Sequence, residues 1–379
     1  MRFRICRICL TAVLGILVTV SILPVSQRGR LIALPNFAME YGQSCSMCHV
    51  DPAGGGARNL YGSQIFARTM LPTSPDGFEE LQNVNPQINK WVTLGADFRI
   101  LHSDVENSPV NLDQIMEGSI YLTAQLHPKY TLNISKGWNI DYQAFGLAQI
   151  LPLDGYLKAG RFLPNFGLRF DDHTLYTRDG LFGFPTYSDV GVEFGFRRRK
   201  WEFSAAVSNG TSLTANDNKA YAFTARTVYG LKLHGMDVMI GGSAYGDEYI
   251  GGDNEQFWYG PFYGFHIGQL TFLGEVDFTR DLPASIASGS PTDNPTGVVS
   301  SQLLYYEMFR GFWLRGGYDF QDYDIDWKTG SRERYTAGAE WFPYGFLELL
   351  LNFRLQRTTN ASGVTSDANE VDAQVHLFF

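Results

Sequence analysis

"VDAQVHLFF", residues 371–379, sets Val371, Ala373, Val375, Leu377 and Phe379 against Asp372, Gln374 and His376. Residues two apart share one face of a strand, so five apolar side chains line up on one side of this segment. The same alternation recurs upstream. "WVTLGADFRI" (91–100) puts Val92, Leu94, Ala96, Phe98 and Ile100 on one face, with Thr93, Asp97 and Arg99 on the other. "DVGVEFGFR" (189–197) sets Val190, Val192, Phe194 and Phe196 against Glu193 and Arg197. "WEFSAAVS" (201–208), "QLTFLGEVDF" (269–278), "GFWLRGGYDFQ" (311–321) and "FLELLLNFRLQ" (346–356) repeat the scheme. About sixteen such segments fit between Trp91 and Phe379, and 20 Tyr, 28 Phe and 40 Gly suit β structure. Apart from the N-terminus, no apolar run is long enough for a membrane helix.

Periodicity alone does not say which face is wet. In a soluble sandwich the apolar face points inward; in a membrane barrel it meets lipid, and charges such as Glu275, Asp277, Arg315, Glu348 and Arg354 line a wet lumen. The terminal strand resembles the C-terminal signal by which outer-membrane barrels are recognised for insertion. Aromatics crowd at expected strand ends, "FWYGPFYGF" (257–265) and "EWFPYGF" (340–346), as in an interfacial girdle. Short turns ("FRRRKWE", 196–202; "FPYGF", 342–346) alternate with long polar stretches such as 279–300 and 357–370. The fold class expected is all-β: an antiparallel outer-membrane barrel of about sixteen strands over residues 85–379.

The first 33 residues carry Arg2, Arg4 and Arg7, then an apolar run from Ile8 to Val25. This is the layout of an export signal, with cleavage near Leu31–Ala33; an uncleaved anchor is the alternative. Without this leader the chain loses five arginines and no acid, taking the formal charge from −9 to −14. A nucleic-acid partner, which needs a basic footprint, is therefore not expected.

Residues 34–84 hold the chemistry. Cys45-x-x-Cys48 followed by His49 is the pattern of c-type haem attachment: two thiols bond the haem vinyl groups, and the imidazole reaches the iron. Random placement of 4 Cys and 7 His in 379 residues yields roughly 0.0008 such triplets. A redox CxxC is the plainer alternative. A zinc site would need a second pair of ligands, and Cys6 and Cys9, the remaining cysteines, lie in the leader with Leu10 where a histidine would stand. One covalent haem c is expected. Met70, 21 residues after His49, is the candidate sixth ligand, against simple packing beside Leu71; Met39, His102, His127 and His173 are the others. Gly54, Gly55 and Gly56 allow close approach to a porphyrin or form a plain turn. So short a segment buries little core alone, and a wide barrel offers it a lumen to plug.

Two further stretches stand out. "GRFLPNFGLRFDDHTLYTRDGLFGFP" (160–185) breaks the strand rhythm and carries Arg161, Arg169, Asp171, Asp172, His173 and Arg178; it is either a constriction loop folded into the lumen or a solvated surface loop. It is also similar, weakly, to the early hairpin of phosphate-selective porins. The acidic stretches "YGDEYIGGDNEQ" (245–256) and "FQDYDIDWKTGSRE" (320–333), the latter with Asp322, Asp324 and Asp326, are either solvated loops or outward-facing groups that concentrate Fe(II).

"PNFA" (35–38), the CxxCH motif, Pro52 and "NLYGSQIFAR" (59–68), followed by a barrel-length β region, resemble the fused cytochrome–porin family of iron-oxidising bacteria, in which a monohaem cytochrome precedes an outer-membrane barrel. "AGGGARN" (53–59) departs from the iron-oxidiser pattern and is closer to cytochrome–porins of other respiratory bacteria. The resemblance implies an electron conduit through one haem, between an extracellular donor or acceptor, iron among the candidates, and a periplasmic c-type cytochrome or other carrier. The alternative is a transport porin for small ions or solutes, with the haem segment as plug or redox sensor. Either sits in outer-membrane lipid, with residues 34–84 in the lumen or on the periplasmic side. No nucleophile–base pair, HExxH or phosphate loop points to hydrolase or kinase chemistry; Fe(II) oxidation is the one enzymatic activity left open.

Overall fold

A computed structural model describes residues 36–379 apart from 75, 107, 139–141, 180–187, 199, 211–218, 249–254, 281–294 and 328–329. The export leader, including Cys6 and Cys9, lies outside the described residues. Sixteen antiparallel strands, β1 (Val92–Val105) to β16 (Thr365–Phe378), pair in chain order and close when β1 meets β16, from Asp97 opposite Phe378 to Val105 opposite Glu370. Closure leaves no unpaired edge, which a spanning sheet requires.

The alternation resolves into two faces of opposite character. On β15 (Leu347–Thr359), Phe353 is 62% exposed and its neighbour Arg354 only 2%. On β16, Val375 and Leu377 are exposed while Asp372, Gln374 and His376 are buried. Polar inside and apolar outside inverts a soluble sandwich and matches a lipid-facing barrel. A slip of one residue would turn every charge toward lipid, so this pattern also sets the register.

The connections are asymmetric. Those leading from even- to odd-numbered strands leave two or three residues between strands, whereas those at the other end are longer. One expected long loop is short: pairing of β15 with β16 runs to Thr359 opposite Thr365, so most of 357–370 is strand. Likewise 257–265 is not a strand end but the body of β10 (Glu255–Ile267), with Tyr259 outside and Trp258 and Phe262 buried inside.

The lumen is substantially filled. Helix α1 (Asn36–Tyr41), the single turn α2 (Cys45–Cys48), a π-helical stretch (Tyr61–Phe66) running into α3 (Ala67–Thr69), and α4 (Glu79–Gln82) precede the barrel. Met39, Phe66 and Leu71 from this segment join Leu168, Phe170 and Leu175 from the chain between β5 (Gly155–Phe162) and β6 (Asp189–Arg198) in one apolar cluster. The wall side of that cluster includes Phe262, Trp313, Phe342 and Phe378. The segment lies toward the short-turn end, where Thr73 N–H donates to the Phe342 carbonyl at 2.9 Å and Phe78 packs on Tyr344.

Candidate functional site

The haem-type motif sits on α2 and leaves it in extended conformation: His49 has φ −113° and ψ 153°, and its N–H donates to the Cys45 carbonyl. The chain then doubles back. Val50 N–H donates to the Ala57 carbonyl at 2.9 Å, and His49 bridges to Arg58. The turn between needs left-handed backbone at Gly54, Gly55 and Gly56, with φ of 85°, 74° and 61°, a conformation that glycine alone takes freely. At Gly54 a side chain would also stand 3.1 Å from Cys45 Sγ. Both reasons come from the chain itself.

Asn59, unremarked in the sequence beyond its place in a motif, clamps the motif. Its Nδ2 donates to the carbonyls of Ser46 (3.2 Å) and Met47 (2.9 Å), its Oδ1 accepts the Gly62 N–H, and its own N–H donates to the Cys48 carbonyl at 2.8 Å. The segment is pinned to the inner wall by ion pairs: Arg58 Nη1 donates to Asp97 Oδ1 of β1 at 2.7 Å, and Lys158 Nζ of β5 to Asp51 Oδ1 at 3.1 Å.

Cys45, Cys48 and His49 border a cavity of about 930 Å³, within the range of cofactor sites. Its walls include Tyr121, Phe145, Phe170 and Phe378. Neither cysteine is in a disulfide. Burial, then the neighbouring Cys45, pushes the Cys48 thiol up to about 11, the reverse of the lowered pKa of a redox-active CxxC. Burial, then Arg58, pushes His49 down to about 4, leaving the neutral imidazole that ligates metals. Its Nδ1 is shut off from solvent, and the Gly56 backbone is the polar group facing the ring. Two thiols on one turn, a neutral imidazole beside them and a cavity of this size fit a covalently held haem.

The structure does not bring Met70 to this cavity. The helix 61–69 carries it to the apolar lumen cluster instead, with its carbonyl accepting from Tyr41. Among the other candidates, Met39 is fully buried in that same cluster, His102 pairs with Asp113 on an exposed strand position, and His127 lies beside a turn. His173 does line the cavity, and burial, then Arg99, lowers its pKa to about 3.

The stretch after β5 folds inward. Arg169 donates to the Gly54 carbonyl at 2.6 Å, Asp172 accepts from Arg315 of β13 (Phe312–Asp322) at 2.7 Å, and Arg99 holds Asp171 at 3.0 Å. Asp171, Glu348 and His376 lie close enough together to share an ion, but Arg99 already engages two of them, Asp171 at 3.0 Å and His376 Nδ1 at 3.2 Å. Of the acids at 320–333, Asp326 is exposed, but Asp322 and Asp324, read with it as either solvated or iron-collecting, are buried. Their carboxylates accept backbone N–H groups of Asp324 and Asp326 at 3.0 and 3.1 Å, so they fold the loop rather than face solvent. The second acidic stretch falls partly outside the described residues.

No family model and no curated relative matches the sequence. Solved structures do match the fold. The outer membrane channel DcaP of Acinetobacter baumannii is 10% identical, with 78% of this chain and 100% of that one covered at TM-score 0.54. Salmonella typhi OmpF is 11% identical, covering 76% and 97% at TM-score 0.55. The anion-selective porin from Comamonas acidovorans is 10% identical, covering 76% and 99% at TM-score 0.53. The chain is thus similar to outer-membrane porins in fold: a closed sixteen-stranded porin-type barrel. The quarter they leave uncovered has no counterpart in that likeness.

Proposed function

We propose that this chain is an outer-membrane barrel of the porin type, a passage for small ions or solutes restricted by its own N-terminal segment. That segment carries one haem c on Cys45 and Cys48, with His49 as axial ligand, and acts as plug or redox sensor. The observation that carries the reading is the barrel itself, apolar outside and charged inside, an arrangement it shares with channel proteins. In support, residues 36–74 contact the inner wall through Arg58, Asp51 and Phe66. A haem held there supplies one-electron chemistry at its iron. The chain's own contribution is to orient the imidazole through the Asn59 clamp and to exclude water through the Phe170 and Phe378 walls.

A second reading has its own support. An apolar cluster across part of the bore hinders solute flow, and together with CxxCH it favours an electron conduit between an extracellular donor or acceptor, iron(II) among them, and a periplasmic c-type cytochrome. The motif resemblance to fused cytochrome–porins points the same way. The two separate in liposomes that trap both an electron acceptor and a small dye, with a reductant outside. Dye release, abolished when the segment is cross-linked to the wall, is the result expected of the passage. Reduction of trapped acceptor without dye release would overturn it in favour of the conduit.

A further inference from the structure

Two guanidiniums of the inward-folded stretch, Arg169 and Arg178, line the cavity bordered by Cys45, Cys48 and His49. Arg169 is engaged: it donates to the carbonyls of Gly54 and Leu163, both at 2.6 Å, and lies 3.7 Å from Asp51. Arg178, on the short turn α5 (Tyr176–Asp179), is different. It is 8% exposed, its Nε has no hydrogen-bond partner, and among the described residues no carboxylate stands at ion-pair distance. Two acids that act on it at longer range are committed elsewhere, Asp171 to Arg99 at 3.0 Å and Glu275 to the Leu168 N–H at 2.7 Å. Burial, then repulsion from Arg169, lowers Arg178 to about 10.

A buried cation whose counter-charges among the described residues act only at longer range is poorly compensated, and a planar guanidinium open to a cavity is built to take a carboxylate on two parallel N–H groups. We propose that Arg178 is the receiving group for a carboxylate bound in this cavity. For its first source, a propionate of the haem, the inference rests on the haem reading above; a free carboxylate solute entering the bore is the second source of the same chemistry. Arg178 then positions its ligand in the cavity and tethers the inward stretch to whatever the cavity holds.

The test has two arms, each with a folded barrel confirmed by heat-modifiable gel mobility. In the haem-loaded protein, the propionate bending band of the resonance Raman spectrum should shift in Arg178→Gln and return in Arg178→Lys. In the haem-free Cys45→Ala/Cys48→Ala protein, acetate, against chloride at equal ionic strength, should raise the unfolding midpoint only while Arg178 is present. A Raman shift assigns the propionate, and an acetate effect alone assigns a free carboxylate. A band and a midpoint both indifferent to Arg178→Gln would overturn the proposal. If intact mass shows no haem on the wild-type protein, the haem reading fails by itself, and the acetate arm still decides the subsite.

Discussion

Lys158 of the barrel wall, fully buried, holds Asp51 of the N-terminal segment at 3.1 Å while its ammonium also reaches Glu193 at 2.8 Å and lies 4.3 Å from the Phe162 ring centroid. Asp51 is two residues from His49, so this contact sets where the haem-type motif sits against the wall. Burial would raise the Asp51 carboxyl, but Lys158 and then Arg169 outweigh it and hold it below the usual carboxylate range.

Asp51→Asn should therefore loosen the segment without opening the barrel. Glu193 still satisfies Lys158, so the loss is about 2 kcal/mol, that of one charge-assisted hydrogen bond. Limited proteolysis checks it: cleavage between residues 36 and 90 should speed up roughly thirtyfold, with residues 92–379 resisting as before. Equal cleavage rates would mean that Asp51 does not anchor the segment.

The inward stretch has a parallel anchor. Arg315 and Arg354, at 2.7 and 3.5 Å, overcome burial and hold the Asp172 carboxyl well below its ordinary value. A depressed folded pKa gives stability that is complete above the unfolded value, about 3.9, and is lost as pH falls through the folded one. Burial and then Arg99 also lower His173 in this stretch to about 3, well under the ordinary histidine value of about 6.5. Hydrogen exchange over residues 163–179, once corrected for intrinsic rate, should therefore begin to rise as pH falls below about 6.5 and rise again in stronger acid as Asp172 protonates. In His173→Gln it should stay flat from pH 7 to about 4. Asp172→Asn takes from buried Arg315 its one ion pair among the described residues, while Arg354 keeps Asp372 and Glu370. The loss is about 3 kcal/mol, and exchange there should be fast across the same range.

Much of this was legible before the fold was known, and the reason is locality. A strand's two faces are written into adjacent residues, as in Phe353 and Arg354, so strand content and approximate strand number follow from alternation. The choice of a lipid-facing barrel over a soluble sandwich rests instead on the terminal strand and the alternation of short and long connections. The terminal strand departs from it only at Phe378, which turns inward against Phe342 and Arg58. The stretch 357–370 passed for a loop because a strand whose faces are both polar has no alternation to show. Asp322 and Asp324 passed for surface acids because an aspartate capping backbone N–H groups has the same composition as a solvated one. Within the site, Cys45, Cys48 and His49 are fixed by spacing, whereas Arg178, His173 and Tyr121 reach the cavity from distant parts of the chain. Only closure of the barrel brings them there.

Gly62 tests how tightly the motif is packed. A Cβ at Gly62 would lie 2.2 Å from the Cys48 carbonyl oxygen, a backbone atom that no rotamer change can move. Gly62→Ala should force the π-helical stretch away from α2 and cut the fraction of chains carrying haem, read by intact mass, at least several-fold. Gly55→Ala is the milder comparison. It meets nothing within 4 Å but keeps φ near 74°, a strain of about 1–2 kcal/mol. If the two variants load haem equally, the close packing of Gly62 on Cys48 has no part in attachment.

His49→Ala tests the proposed haem ligation directly. The backbone around His49 is held by its own N–H to the Cys45 carbonyl at 2.8 Å and by Val50 N–H to Ala57 at 2.9 Å, so truncation should leave the turn in place. Both cysteines remain, and intact mass should still show one haem. What disappears is the neutral imidazole at the cavity edge. Loss of an axial nitrogen leaves a weaker ligand field, so the sharp absorption bands of the reduced state should broaden toward a high-spin form, and added imidazole should restore them. A low-spin spectrum identical to wild type would remove His49 from the iron and assign ligation to other cavity residues, with His173 the first to replace. High-spin bands that imidazole cannot rescue would instead mean that the turn had collapsed, which the proteolysis pattern used for Asp51→Asn would reveal independently.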